Sequence, residues 1–158
     1  MGAEFLQIKI KESGDGKGGY AKEMSPEFIK AEKKLFYKQC KEVDIIITTA
    51  AIPGKKAPLL LEKYMIDVMK KGSVVVDLAA QSGGNCELTE LDKVVDYNGV
   101  KIVGHSNLTN LLPNQSSSLF SNNVINFMSY LTVDNEFQPD FEDIVVKKSL
   151  ITKEGRLL

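Results

Sequence analysis

The chain has 158 residues, enough for one domain or two small ones, with 43% hydrophobic residues, 26% charged residues and a formal net charge of −1. That near-neutral balance argues against a general nucleic-acid binder, which carries a basic excess. No apolar run approaches the ~20 residues needed to span a bilayer. Two cysteines, Cys40 and Cys86, and one histidine, His105, fall short of a four-ligand structural zinc site, so no metal is expected and the cysteines read as reduced thiols.

Leu6, Ile8 and Ile10 alternate with polar residues, which predicts a short half-buried strand. Lys11 to Glu23 is a loop dense in glycine and charge. Ser25 then makes a good helix cap and Pro26 suits the first helical position, predicting a helix to about Cys40 with Phe28, Ala31, Leu35 and Phe36 on its apolar face. Val43–Thr49 is β-branched and almost continuously apolar, as a strand of a buried parallel sheet is. After the loop 50–58, Glu62–Lys71 predicts a short helix with Tyr64, Met65, Val68 and Met69 inward, closed by Gly72. Ser73–Asp77 and Val100–Gly104 predict two further buried strands. Gln115–Leu131 predicts the longest helix, its stripe formed by Phe120, Val124, Phe127, Met128 and Leu131. The acidic stretch 134–143 reads as a linker, and Ile144–Leu158 as a hairpin-like segment turning near Lys153-Glu154-Gly155.

Strand and helix in alternation mean crossover units, hence an α/β chain with a parallel sheet. Ligands of such sheets bind beyond the C-terminal strand ends. Two loops built from small residues are expected there, Ala50-Ala51-Ile52-Pro53-Gly54 and Gly83-Gly84-Asn85, either as sites for close approach of a flat ligand or as simple tight turns. Gly14, Gly16 and Gly19 match G-x-G-x-x-G literally. A true phosphate cradle opens directly into its helix, however, whereas here Tyr20–Met24 intervenes, and no acid stands about 20 positions on at a strand end. A loop whose glycines supply flexibility is the better account.

Several strings taken in order resemble one family: Gly18-Gly19-Tyr20-Ala21-Lys22-Glu23-Met24, Val43–Ala50, Ile52-Pro53-Gly54-Lys55-Lys56-Ala57-Pro58, Gly72–Ala80, Gly83-Gly84-Asn85 and Gly99–Gly104. Together they are similar to the NAD(H)-binding component of proton-translocating NAD(P) transhydrogenases. The resemblance runs from about Gly2 to Leu131. It implies that residues 1–133 are the C-terminal portion of an NAD(H)-binding Rossmann domain, a partial Rossmann-like doubly wound parallel sheet lacking the first crossover unit, with 134–158 a linker and C-terminal hairpin-like segment. It further implies hydride transfer from NADH to NADP+, with NADP(H) held on a partner domain and a membrane proton-channel domain coupling transfer to proton movement. The chain would then stand on the soluble face of a mitochondrial inner-membrane or bacterial plasma-membrane enzyme, inactive by itself.

The resemblance also names site residues. Tyr20 would sit on a loop that closes over the nucleotide, and Gly19, Glu32 and Ala51 would lie at the nucleotide, next to Ala50 in the small-residue loop. Tyr20 offers an aromatic face and one hydroxyl, Glu32 an acceptor for ribose hydroxyls, and Ala51 the small side chain that close approach requires. Hydride transfer between two nicotinamides needs no protein acid or base, so no catalytic residue is assigned and His105 reads as a strand-end residue. Alanine dehydrogenases share the sheet loops but lack the Tyr20 string, and they would be expected to carry an acid near Gln81. An alanine dehydrogenase fragment and a non-catalytic interaction domain are the alternatives. Finally, the strand Val43–Thr49 has no visible neighbour on one side, so a homodimer through that edge is expected.

Overall fold

Ser25 fixes where the first helix begins. Its hydroxyl accepts the Phe28 amide at 3.2 Å and Pro26 occupies the first helical position, a cap worth about 1 kcal/mol. The helix, α1 (Pro26–Glu42), ends where the extended Val43 donates its amide to the Gln39 carbonyl at 3.0 Å. The computed structural model describes residues 2–8, 25–52 and 54–157. It divides into two compact units, residues 1–106 and 107–158.

In the first unit α1 is followed by β1 (Ile45–Thr48), α2 (Lys63–Ile66), β2 (Val74–Asp77), β3 (Val94–Tyr97) and β4 (Val100–Val103). The four strands form one sheet in the order β1-β2-β4-β3. The pairs β1–β2 and β2–β4 are parallel, and only β3–β4 is antiparallel. This is the mostly parallel sheet of a Rossmann-type fold, and its three parallel strands lie where the sequence predicts them. The antiparallel β3 was not predicted. It returns into β4 through Asn98-Gly99, with φ of +54° and +84°, a pairing of residues that suits a tight hairpin turn.

Register places Ile46, Val75 and Ile102 across from one another on one face. Val75 and Ile102 are fully buried with Met65, Ile66, Val100, Cys40, Cys86 and Leu61. Burying each large side chain contributes roughly 1.5–3 kcal/mol. Both cysteines are free thiols in this core. On β1 the alternate residues Ile45 and Ile47 are 64% and 62% exposed, and among the described residues β1 pairs with β2 alone.

Two expectations in this unit need correction. Leu6–Ile8 form no strand, because no described residue pairs with them, and residues 9 and 10 lie outside the described residues. The helix expected over Glu62–Lys71 is α-helical only through Ile66. The Met69 amide bonds to the Ile66 carbonyl and the Ser73 amide to the Lys70 carbonyl, each three residues back, so the chain tightens into turns. Tyr64 is 45% exposed rather than inward, its ring 5.7 Å from that of Tyr37.

The second unit holds α3 (Pro113–Leu131), the hairpin β5 (Thr132–Val133) and β6 (Glu136–Phe137), α4 (Ile144–Ser149) and the hairpin β7 (Thr152–Lys153) and β8 (Arg156–Leu157). The expected stripe of α3 exists, but Phe120, Val124 and Met128 are exposed and no residue of this helix is fully buried. Some of the expected linker is a hairpin, since Asp134 and Asn135 take φ of +50° and +66°, the left-handed pair a two-residue turn requires. The C-terminal hairpin turns at Glu154-Gly155 as expected. It is confined to Thr152–Leu157, because Asp143 accepts the Val145 and Val146 amides and caps α4 instead.

Candidate functional site

Strands β1 and β2 end side by side, and a buried polar network joins the loops that leave them. The Leu78 amide donates to the Thr48 carbonyl at 2.9 Å, extending the β1–β2 ladder by one bond. Asp77, the last residue of β2, has no solvent exposure. Its carboxylate is nonetheless well supplied with donors. Oδ1 accepts the Ala79 amide at 3.0 Å, and Oδ2 accepts the amides of Asn85 at 2.7 Å and Cys86 at 3.1 Å and the Thr89 hydroxyl at 2.6 Å. Four hydrogen bonds are how a carboxylate is accommodated in a buried place.

Asn85 is equally buried and binds the loop that follows β1. Its side-chain Oδ1 accepts the Ala50 amide at 3.0 Å, while Nδ2 donates to the carbonyls of Ala50 and Pro58, both at 2.8 Å. Its own carbonyl accepts the amides of Leu60 and Leu61 at 2.8 and 2.9 Å. Beside this frame lies a cleft of about 260 Å³ lined by Phe36, Ile46, Ile47, Thr48, Thr49, Ala50, Leu60 and Leu61. The Thr48 hydroxyl is buried and has no hydrogen-bond partner among the described residues.

Of the residues singled out from the sequence, Ala50 lines this cleft and Ala51 is exposed next to it. Glu32, on α1, is half-buried and lines a separate pocket of about 360 Å³ with Phe5, Leu6, Gln7, Ile8, Phe28, Leu35 and Phe36. Burial raises the pKa of its carboxyl above the usual range. Phe36, one helical turn from Glu32, lines both hollows. Gly19 and Tyr20 lie outside the described residues. His105, just past β4, is half-buried and lowers the pKa of Asp92 only as a minor cause; the larger cause is the Ser106 hydroxyl and amide that Asp92 accepts.

Sequence reasoning missed Asp77, the bridging role of Asn85, which it placed only in the loop after β2, and Thr48 as elements of the site. A signal was present for the first two. An aspartate closing an apolar strand, followed by Gly-Gly-Asn, reads as a turn until the structure shows that the amide reaches 35 residues back to Ala50.

A family model described as "Alanine dehydrogenase/PNT, C-terminal domain" matches residues 1–158. The chain is 50% identical over 158 residues to the NAD(P) transhydrogenase subunit alpha of Haemophilus influenzae, covering 98% of this chain and 31% of that protein. It is 42% identical over 162 residues to the NAD(P) transhydrogenase subunit alpha of Cereibacter sphaeroides, covering 99% of this chain and 31% of that protein. To alanine dehydrogenase 1 of Staphylococcus aureus the identity is 31%, over 77% of this chain and 35% of that protein. The chain thus spans well under half the length of these curated relatives. Among solved structures, a transhydrogenase from Sinorhizobium meliloti superposes with a TM-score of 0.55 at 45% identity, over 61% of this chain and 29% of that one. An L-alanine dehydrogenase superposes with a TM-score of 0.58 at 22% identity, over 80% and 36%, a likeness of fold alone.

Proposed function

The chain belongs to the alanine dehydrogenase/PNT C-terminal domain family, and on that premise we propose that it is a portion of the NAD(H)-binding component of an NAD(P) transhydrogenase. The observation that carries this reading is 42% and 50% identity to transhydrogenase alpha subunits over the length of this chain, against 31% over a shorter stretch to an alanine dehydrogenase. Gln81 supports the same choice, being an exposed amide in a 3-10 turn where an amino-acid dehydrogenase would be expected to carry an acid.

The residues present fit a dinucleotide. The small-residue loop stands at the C-terminal edge of a parallel sheet, where such ligands bind. The cleft beside that loop is lined mostly by apolar side chains, with Thr48 and Thr49 the polar residues among them. In this reading Ala50 and Ala51 admit the close approach of the nucleotide, and Glu32 accepts from ribose hydroxyls. Gly19 and Tyr20 belong to the same site by resemblance.

NADH, when bound, supplies the hydride that passes to NADP+ held on a partner domain. The protein's own work is binding, orientation and exclusion of water, so no side chain need gain or lose a proton. A membrane domain coupled to proton movement is the further partner, and this chain stands on the soluble face of that enzyme. No helix among the described residues is long and apolar enough to cross a membrane. We further propose a homodimer, supported by the one-sided pairing of β1.

The test is an assay of NADH oxidation by an NADP+ analogue, with the full-length protein and its NADP(H)-binding partner component. Oxidation dependent on both components is expected. NAD reduction driven by alanine would replace this reading with the dehydrogenase one, and activity with neither would leave an interaction domain.

A further inference from the structure

Ala50 lies two residues beyond the end of β1, where the ladder with β2 has stopped. The side-chain amide of Asn85 takes that place. A planar amide offers one acceptor and two N–H donors, and here each is used: Oδ1 on the Ala50 amide, Nδ2 on the Ala50 and Pro58 carbonyls. The two ends of the loop 50–58 are therefore pinned to a single side chain. That side chain is held in turn, because the Asn85 amide donates to Asp77 Oδ2 and its carbonyl accepts from Leu60 and Leu61.

Only an amide side chain offers this acceptor and these two donors together. Aspartate would set a carboxylate oxygen against two carbonyl oxygens, and leucine would take its hydrogen-bond partner away from the half-buried Ala50 amide and from the two carbonyls. The frame is also complete without any ligand, since every polar atom of the Asn85 side chain is satisfied within the chain.

We infer that Asn85 is a positioning residue for nucleotide binding: it touches no reacting atom, but fixes the Ala50-Ala51 edge in its binding geometry before the nucleotide arrives. This rests on the NAD(H) reading above. A loop ordered in advance loses less freedom on binding, and the benefit appears as affinity rather than as rate of the chemical step.

The experiment uses the full-length protein with its NADP(H)-binding partner component. Wild-type protein must first bind NADH by calorimetry; failure at that step overturns the NAD(H) reading itself, and this inference with it. Given binding, Asn85→Asp is expected to raise the NADH dissociation constant and the KM for NADH about tenfold or more. The kcat at saturating NADH and the KM for the NADP+ analogue should stay within about twofold of wild type, as removal of uniform binding requires. Unchanged NADH affinity in a folded variant, or a fall in kcat alone, would overturn the inference. If the variant does not fold, amide exchange in the wild type decides. The Ala50 amide should be protected well above that of Ala51 in the nucleotide-free protein, and protection that appears only on adding NADH would overturn it.

Discussion

A Cβ built on Gly84 would stand 2.9 Å from Asp77 Oδ2 and 3.0 Å from Thr89 Cβ, so the chain can pass over the buried carboxylate only as glycine. Gly84 also has φ of +80°, in the left-handed region that disfavours side chains. Gly84→Ala is therefore expected to destabilise the protein by about 1–3 kcal/mol, through strain and a displaced hydrogen-bond network. Chemical denaturation of the two proteins measures this directly; a change below about 0.5 kcal/mol would mean that the network yields easily.

Glu32 offers a prediction about pH. Burial holds its carboxyl pKa above the ordinary value, so the folded state binds this proton more tightly than the unfolded state. Its contribution to stability is then fully present below the ordinary glutamate pKa and is lost as pH rises through the raised value. Glu32→Gln should flatten that region of the stability profile and leave the protein at pH 7 as stable as wild type or slightly more so, within about 0.5 kcal/mol. The same variant should weaken NADH binding in calorimetry, because an amide is a poorer acceptor than a carboxylate for ribose hydroxyls.

Cys40 and Cys86 lie in the core, 1% and 2% exposed. Burial pushes the Cys40 thiol up to about 11 and raises that of Cys86 as well. Since the thiolate is the nucleophile, both should resist alkylation by iodoacetamide at pH 8 in the native protein and react promptly in denaturant. Mass spectrometry after a timed exposure reads the difference. Rapid native labelling of either one would show that the core opens on that timescale.

The exposed side chains of β1 bear on assembly. Ile45 and Ile47 give this edge an apolar, uncharged face, and among the described residues only β2 pairs with it. Light scattering at micromolar concentration is expected to report more than one copy of the chain, and Ile47→Lys should shift the population toward monomer. A clean wild-type monomer with slow amide exchange along Ile45–Thr48 would oppose the dimer.

Much of the first unit was legible in the sequence because its signals are local. Ser25-Pro26 marks a helix start, and the β-branched runs ending at Thr48, Asp77 and Val103 mark parallel strands. Asn98-Gly99 was an equally local hairpin signal and shows that β3 was within reach of the same reasoning. The second unit was less legible. Ile144-Val145-Val146 favours a strand by composition, and only the cap formed by Asp143 turns it into α4. The site was half legible. Small residues at Ala50 and Ala51 follow from their place after a strand, whereas the Asn85 amide that holds Ala50 is distant in sequence and has no periodicity to betray it.

The central claim is that this chain serves direct hydride transfer between two nicotinamides without a protein acid or base. The most direct measurement uses NADH carrying deuterium at both nicotinamide C4 positions, an NADP+ acceptor, and the full-length protein with its NADP(H)-binding partner component. The account predicts that one deuterium appears in the NADPH formed, with none lost to water. Deuterium released to solvent during turnover, or no transfer to NADP+ at all, would contradict it.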